Sequence, residues 1–327
     1  MICRYTFAIS SKIALPASLE FEDENHKFKF LAINGKLAKI VAEISGVKLP
    51  FSPTIASGSD GAMSHIKIPT DVGVGFLQFE LRAIKGALYL WGVDDIDTKR
   101  PELEWIPETE EEKEETNIYS FSTKIEKSEE EVREDAPLDL LIRTIVSRRL
   151  FLEYEVPLEF YRRASEDLKK ERYIEAFYGF YFVFEFLFGH GQFKKGILLS
   201  HYGNDEKVEE AIQAAINDPN PQVLSDTRLR GKYRSTYIGK SKKEVLEHII
   251  DRRGFLHHQS SLRSKNWTPH NDEEFAIDAF FLQMMSYKII ADFCIDKLFD
   301  ENEFENFQRM EVRTDDGRII NWTPMED

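Results

Sequence analysis

The sequence predicts an α+β protein, an N-terminal antiparallel β domain followed by an all-α helical bundle. Three observations carry this reading. Apolar residues alternate with a period of two through the first hundred positions, they recur every three to four positions in the second half, and a dense acidic segment separates the two regimes. The boundaries fall as a β domain over 1–105, an acidic linker or insertion over 106–136, a helical domain over 137–300 and a peripheral tail over 301–327. A chain of 327 residues exceeds one ordinary domain of about 100 to 200 residues, so two bodies are expected.

In the first region the alternating runs are RYTFAI, KFKFLAI before Asn34-Gly35, LAKIVAEI, HIKIP, GFLQFELRAI before Lys85-Gly86, and ALYLWGV, each bounded by turn residues. All six read as strands. The run Ser57 to Gly61 reads as a loop, and Gly73 with Gly75 is too sparse to cradle a phosphate. The separating segment holds 14 acids and 4 bases over 102–135, against 11 and 12 over 1–101 and 33 and 27 over 136–327. Like charges at that density repel and stay solvated, and one strand over 118–125 is the regular element expected inside it.

Beyond the seam, Leu138, Leu141, Ile142, Ile145 and Leu150 form one helical stripe, and Ala164 with Leu168 forms another. The stretch FYGFYFVFEFLFG holds eight aromatics between 177 and 188. It runs on from the helix formers EDLKKERYIEA, so it reads as a buried central helix, by spacing core or dimer interface. Further helices are expected near 205–216, 242–262 and 272–299, the second opened by a Ser241-Lys-Lys-Glu244 capping box.

Composition limits the function classes. A net charge of -15 argues against a surface that grips nucleic acid everywhere, and Cys3 and Cys294, far apart, exclude a disulfide framework or paired-thiolate zinc site. Arg4 and Lys12 interrupt the N-terminal run before a signal-peptide core forms, and no 18-residue apolar stretch occurs. The expected setting is the cytoplasm, with no membrane partner. No HExxH, calcium loop, GxSxG or Cys/His nucleophile pattern is present, and His190, His201, His248, His257 and His258 read as isolated histidines, so neither metal nor cofactor is expected.

One segment departs from the whole. From Arg228 to Lys265 there are eleven bases against Glu244, Glu247 and Asp251, a local +8. Arg228, Arg230, Lys232, Arg234, Lys242 and Lys243 head this set and suit an RNA backbone; the other reading pairs them with the acidic linker, which would then occlude them until activation. Inside it sits Asp251-Arg-Arg-Gly-Phe-Leu-His-His-Gln259, with two overlapping ArgxxxxHis pairs, Arg252 with His257 and Arg253 with His258. Five residues along a helix leave such a pair about 140° apart, whereas Arg253 and His257 share a face. Glu185, an acid amid aromatics, either faces solvent or is buried against a basic partner; with Tyr181 it is a candidate supporting residue.

The aromatic helix ERYIEAFYGFYFVFEFLFG, the basic stretch, RGFLHH late in a helix, the Trp-Thr-Pro-His run at 267–270 and a further long helix resemble the HEPN superfamily, its ApeA-like and methylamine-utilisation-like branches above all. The resemblance covers about 138–300. The family motif is Arg, a polar residue that is often Asn, three variable residues and His; this chain has Gly254 or Arg253 at the polar position. The pair Arg253 with His258 places Leu256 at the family's apolar position, and Arg252 with His257 is the alternative register. What the resemblance implies is metal-independent RNA cleavage by a homodimer that brings two motif copies across one cleft, in toxin, abortive-infection or antiviral effectors. The 2′-hydroxyl attacks the adjacent phosphate, imidazoles move the protons and guanidinium holds the phosphate, leaving a 2′,3′-cyclic phosphate and a 5′-hydroxyl. The β domain is then the place for an activating ligand or protein. The resemblance leaves two other readings open, a non-catalytic HEPN-like scaffold binding RNA or a partner protein, and a metabolic accessory protein without nucleic-acid affinity.

Overall fold

The computed structural model describes residues 1–23, 26–48, 54–57, 64–67, 74–98, 101–116, 120–121, 138–257, 269–300, 311–315 and 319–320. The α+β architecture expected from the sequence holds. The chain forms two compact units, residues 1–152 with 297–327, and residues 153–296.

The first unit is built on an antiparallel sheet of β1 (Ile2–Ser11), β2 (Leu19–Glu22), β3 (Lys27–Ile33) and β4 (Lys36–Ile44), with β5 (Thr54–Ser57) and β6 (Ser64–Lys67) forming a separate hairpin. After them come α1 (Val74–Ala83), α2 (Lys85–Leu90), β7 (Val93–Ile96), β8 (Glu102–Ile106), α3 (Glu110–Glu115), β9 (Ser120–Phe121) and α4 (Leu138–Val146). Period-two patterning dictates the sheet: Cys3, Tyr5 and Phe7 of β1 are fully buried, while Arg4 on the other face bridges Glu43 of β4 and Glu104 of β8 at 2.7 Å each. The Asn34-Gly35 turn closes the β3–β4 hairpin with φ of 53° and 75°, as a two-residue turn with both central residues left-handed requires.

Two expected strands are helices. GFLQFELRAI and ALYLWGV alternate, but Leu77, Glu80, Leu81 and Ile84 are all buried, and that i, i+3, i+4, i+7 spacing is the helical one. The acidic segment carries regular structure at its start. Thr109 and Glu112 cap α3 reciprocally, and Glu108 and Glu112 hold the N-terminal ammonium at 2.8 and 2.7 Å. Of the strand expected over 118–125, Ser120–Phe121 is described and forms β9; residues 118–119 and 122–125 lie outside the described residues.

The helix at 138–146 belongs to the first unit rather than to the helical body, with Trp91 Nε1 donating to Thr144 Oγ1 at 3.1 Å. The expected peripheral tail also joins it. β10 (Val312–Thr314) pairs with β2 and with β11 (Ile319–Ile320), and Val312 is fully buried.

A buried ion cluster ties sheet to helices. Arg148 is 1 % exposed, and its Nε donates to Glu80 at 2.5 Å, its Nη1 to Asp23 at 2.5 Å and to the Ile145 carbonyl at 3.0 Å. Its Nη2 lies 2.9 Å from His26 Nδ1, and its guanidinium sits 4.9 Å over the Phe28 ring. Glu80, fully buried, also takes Arg149 at 2.6 Å.

The second unit is helical. It contains α5 (Glu155–Lys169), α6 (Tyr173–Phe188), α7 (Lys195–Asn204), α8 (Glu206–Asn217), α9 (Pro221–Ser225), α10 (Thr227–Tyr237), α11 (Lys242–His257) and most of α12 (Ala276–Leu298). The aromatic run is the buried helix expected: Phe177, Phe180 and Tyr181 are fully buried. α6 approaches α5 closely at Gly179, where a Cβ would stand 2.7 Å from Ala164 Cβ. Gly179→Val is expected to lower the unit's stability by about 3 kcal/mol through overpacking. Thermal melting checks this, and Ala164→Gly in the same chain should restore part of the loss; an unchanged melting temperature for the single variant refutes the contact. No described helix is long and apolar enough to cross a membrane.

Candidate functional site

α11 positions the motif arginines. Ser241 and Glu244 form the expected capping box: Ser241 N–H donates to Glu244 Oε2 at 2.9 Å, and Glu244 N–H to Ser241 Oγ at 3.3 Å. Val245, Leu246, Ile249, Ile250 and Leu256 bury the apolar side of the helix. His248 and Arg252, four apart, share a face and reach Asp278 of α12. Arg253, one position on, reaches Glu185 of α6.

Asp278 is 1 % exposed, and three donors meet it. Tyr237 Oη donates to Oδ1 at 2.5 Å, His248 Nε2 lies 2.8 Å from the same oxygen, and Arg252 Nε donates to Oδ2 at 2.7 Å. Burial alone would raise the carboxyl's pKa. The His248 hydrogen bond, the Arg252 charge and the Tyr237 hydroxyl together outweigh it and hold the pKa below the ordinary aspartate value. An ionised carboxylate only accepts, so the facing His248 nitrogen carries the proton and Nδ1 keeps a lone pair in the neutral ring. Arg252 Nη2 donates to the Glu274 carbonyl at 2.6 Å, and its guanidinium stacks 4.1 Å over Phe275.

Arg253 Nη2 donates to Glu185 Oε1 at 3.0 Å, and its guanidinium lies 5.6 Å from the Tyr181 ring centre. Its buried Nε has no hydrogen-bond partner among the described residues. Glu185 is thus the acid with a basic partner, its side chain 18 % exposed. Tyr181, fully buried, backs Arg253 rather than lining an open cleft. Behind it, the Tyr202 hydroxyl of α7 sits close enough to influence Tyr181, and neither hydroxyl reaches good hydrogen-bond geometry. Burial, with each other's proximity, raises the Tyr202 phenol far above its ordinary value, so it stays protonated.

The basic residues divide. Arg228 pairs with Glu273 at 2.6 Å, Lys242 with Glu209 at 3.2 Å and with the Asp205 carbonyl at 3.0 Å, and Lys243 with Glu247 at 3.8 Å. These partners are local acids of the helical unit, where the sequence reading had offered the acidic linker. Arg230 donates to the Leu224 carbonyl at 3.3 Å, and Arg230, Lys232 and Arg234 stand exposed along α10 without an ion pair among the described residues. His257 is exposed at the last residue of α11; His258, Arg263 and Lys265 lie outside the described residues.

Sequence reasoning missed Asp278, Tyr237 and the pairing of His248. The signal was present: Asp278 is a lone acid inside the apolar run AIDAFFL, the pattern that singled out Glu185. Among the described residues no three His, Cys, Asp or Glu side chains converge as metal ligands, and the edge-to-face pair His190 and His201, 5.0 Å apart, has no third donor. On the first unit, a hollow of about 510 Å³ opens on the charged face of the sheet. Its charges pair with one another, Arg4 with Glu43 and Glu104, Lys39 with Glu102, and Lys27 with Glu20.

No family model, no curated protein and no solved structure matches the chain.

Proposed function

We propose that the helical unit is a metal-independent, HEPN-type endoribonuclease of the cytoplasm that works as a homodimer and needs no cofactor. The observation that carries this reading is the pair of neighbouring guanidiniums on α11. Each is pre-oriented by a carboxylate on a different helix, Arg252 by Asp278 and Arg253 by Glu185, directly ahead of the two histidines. Arg253 with His258 is the assigned catalytic pair, and Arg252 with His257 the alternative. The 2′-hydroxyl attacks the adjacent phosphorus, guanidinium holds the phosphate and imidazole moves a proton. Exposed Arg230, Lys232 and Arg234 supply a backbone track in the same unit. In the cell such a nuclease suits a toxin or antiviral effector, with the β-rich unit receiving the activating ligand or protein.

Purified protein incubated in EDTA with labelled total RNA tests the reading. Expected are 2′,3′-cyclic phosphate ends, intact DNA, and a rate lower by about 10²-fold or more in Arg253→Ala and His258→Ala. Loss in Arg252→Ala and His257→Ala instead would select the other register. Cleavage that chelation abolishes, or that survives in both Arg253→Ala and Arg252→Ala, refutes the proposal.

One observation favours a second reading, a non-catalytic scaffold for RNA or a partner protein. Both guanidiniums already hold internal carboxylates, as structural arginines do. Salt-dependent RNA binding without any cleavage is its signature.

A further inference from the structure

Cleavage through the 2′-hydroxyl needs one group to remove a proton and another to deliver one, and in the proposed homodimer each motif copy brings one imidazole. The helical unit contains another imidazole built for the task. His248 stands one helical turn before Arg252 on the same face of α11, and both bind the carboxylate of Asp278, at 2.8 and 2.7 Å. Asp278 is buried and accepts a third bond from Tyr237, whose ring packs edge-on to the imidazole at 5.6 Å. The ring is therefore fixed by a carboxylate on one side and an aromatic edge on another. Its side chain remains 34 % exposed, and that of Arg252 24 %. Among the described residues Arg252 uses two N–H groups, on Asp278 and the Glu274 carbonyl, fewer than the five a guanidinium carries. The remaining ones can hold a phosphate beside the imidazole.

We propose that His248 is a catalytic residue, the proton acceptor of the RNA cleavage, with Asp278 as its positioning residue and Arg252 as the adjacent phosphate clamp. The inference rests on the ribonuclease reading. In the step, the proton of the 2′-hydroxyl passes to His248 Nδ1 as the 2′-oxygen bonds to phosphorus. The bond from phosphorus to the 5′-oxygen breaks, and that oxygen takes a proton from water, giving the cyclic phosphate and the 5′-hydroxyl. The imidazolium formed at His248 is stabilised by the Asp278 carboxylate, and its proton returns to solvent.

The test uses the full chain and a single-stranded RNA oligonucleotide in EDTA. His248→Gln keeps a side-chain donor for Asp278, so the melting temperature and RNA affinity should stay at wild-type values while kcat falls by about 10²-fold or more. Added imidazole should recover part of the activity of His248→Ala. Asp278→Asn should lower kcat with KM retained. Wild-type kcat in His248→Gln, or an inactive His248→Ala that imidazole does not rescue, overturns the assignment. If His258→Ala is inactive and His248→Gln is not, the ribonuclease reading stands and His248 falls. Cleavage that chelation abolishes removes both.

Discussion

Replacing Arg148 by Met is expected to destabilise the first unit by about 3–5 kcal/mol, because it removes the enclosed partner of a buried carboxylate and leaves it only the half-exposed Arg149. Glu80 is fully buried, and Arg148 is its enclosed partner, bound also to Asp23, the Ile145 carbonyl and His26. The cluster joins the turn between β2 and β3, α1 and the chain after α4, so one side chain fixes three elements. Arg149 provides the control. It touches the other oxygen of Glu80, but its side chain is 49 % exposed, and Arg149→Met should cost below about 1 kcal/mol. Urea unfolding followed by tryptophan fluorescence in a Trp267→Phe background, with Trp91 and Trp105 reporting on this unit, reads the difference. Equal losses for the two variants would show that burial of the pair is not what matters.

Asp278→Ala is expected to cost the helical unit a similar amount, about 3–5 kcal/mol, since Tyr237, His248 and Arg252 lose a common acceptor and the buried Tyr237 hydroxyl keeps none. The sign with pH follows from the lowered carboxyl pKa. The ionised carboxylate binds its proton less readily in the folded chain than in the unfolded one. Its stabilisation is therefore complete above the unfolded value of about 3.9 and is lost as the pH falls through the lower folded value. The gap between wild type and Asp278→Ala, measured by urea unfolding with far-ultraviolet circular dichroism, should narrow below pH 4. A gap that widens below pH 4 would contradict the ionised assignment.

Much of the fold was legible because local and global signals agree. In RYTFAI and KFKFLAI the apolar alternation matches the buried face of the sheet, and Asn34-Gly35 sets the turn without help from distant residues. The helix of α11 was legible from its cap. The segment GFLQFELRAI was misread because Phe, Leu and Ile fall at spacings that suit either period, and only burial shows that Leu77, Leu81 and Ile84 form the inner stripe. α10 was not read as a helix because its apolar positions are Leu229, Tyr233 and Tyr237 alone, set four apart in a run of charges. The tail was misplaced because pairing of β10 with β2 spans nearly the whole chain, and no local pattern encodes it. At the candidate site the arginines were legible as residue types. Their partners were not, since an ion pair between α11 and α12 or α6 depends on tertiary packing.

The route of the chain has a consequence for synthesis. Unit one is left after residue 152 and re-entered at 297, and β2 completes its pairing only when β10 arrives. A ribosome making about 5–20 residues per second finishes the helical unit first and leaves that sheet edge open for tens of seconds. β2 is short, and its alternate positions are Glu20 and Glu22, charges that discourage pairing with a neighbouring nascent chain during the wait.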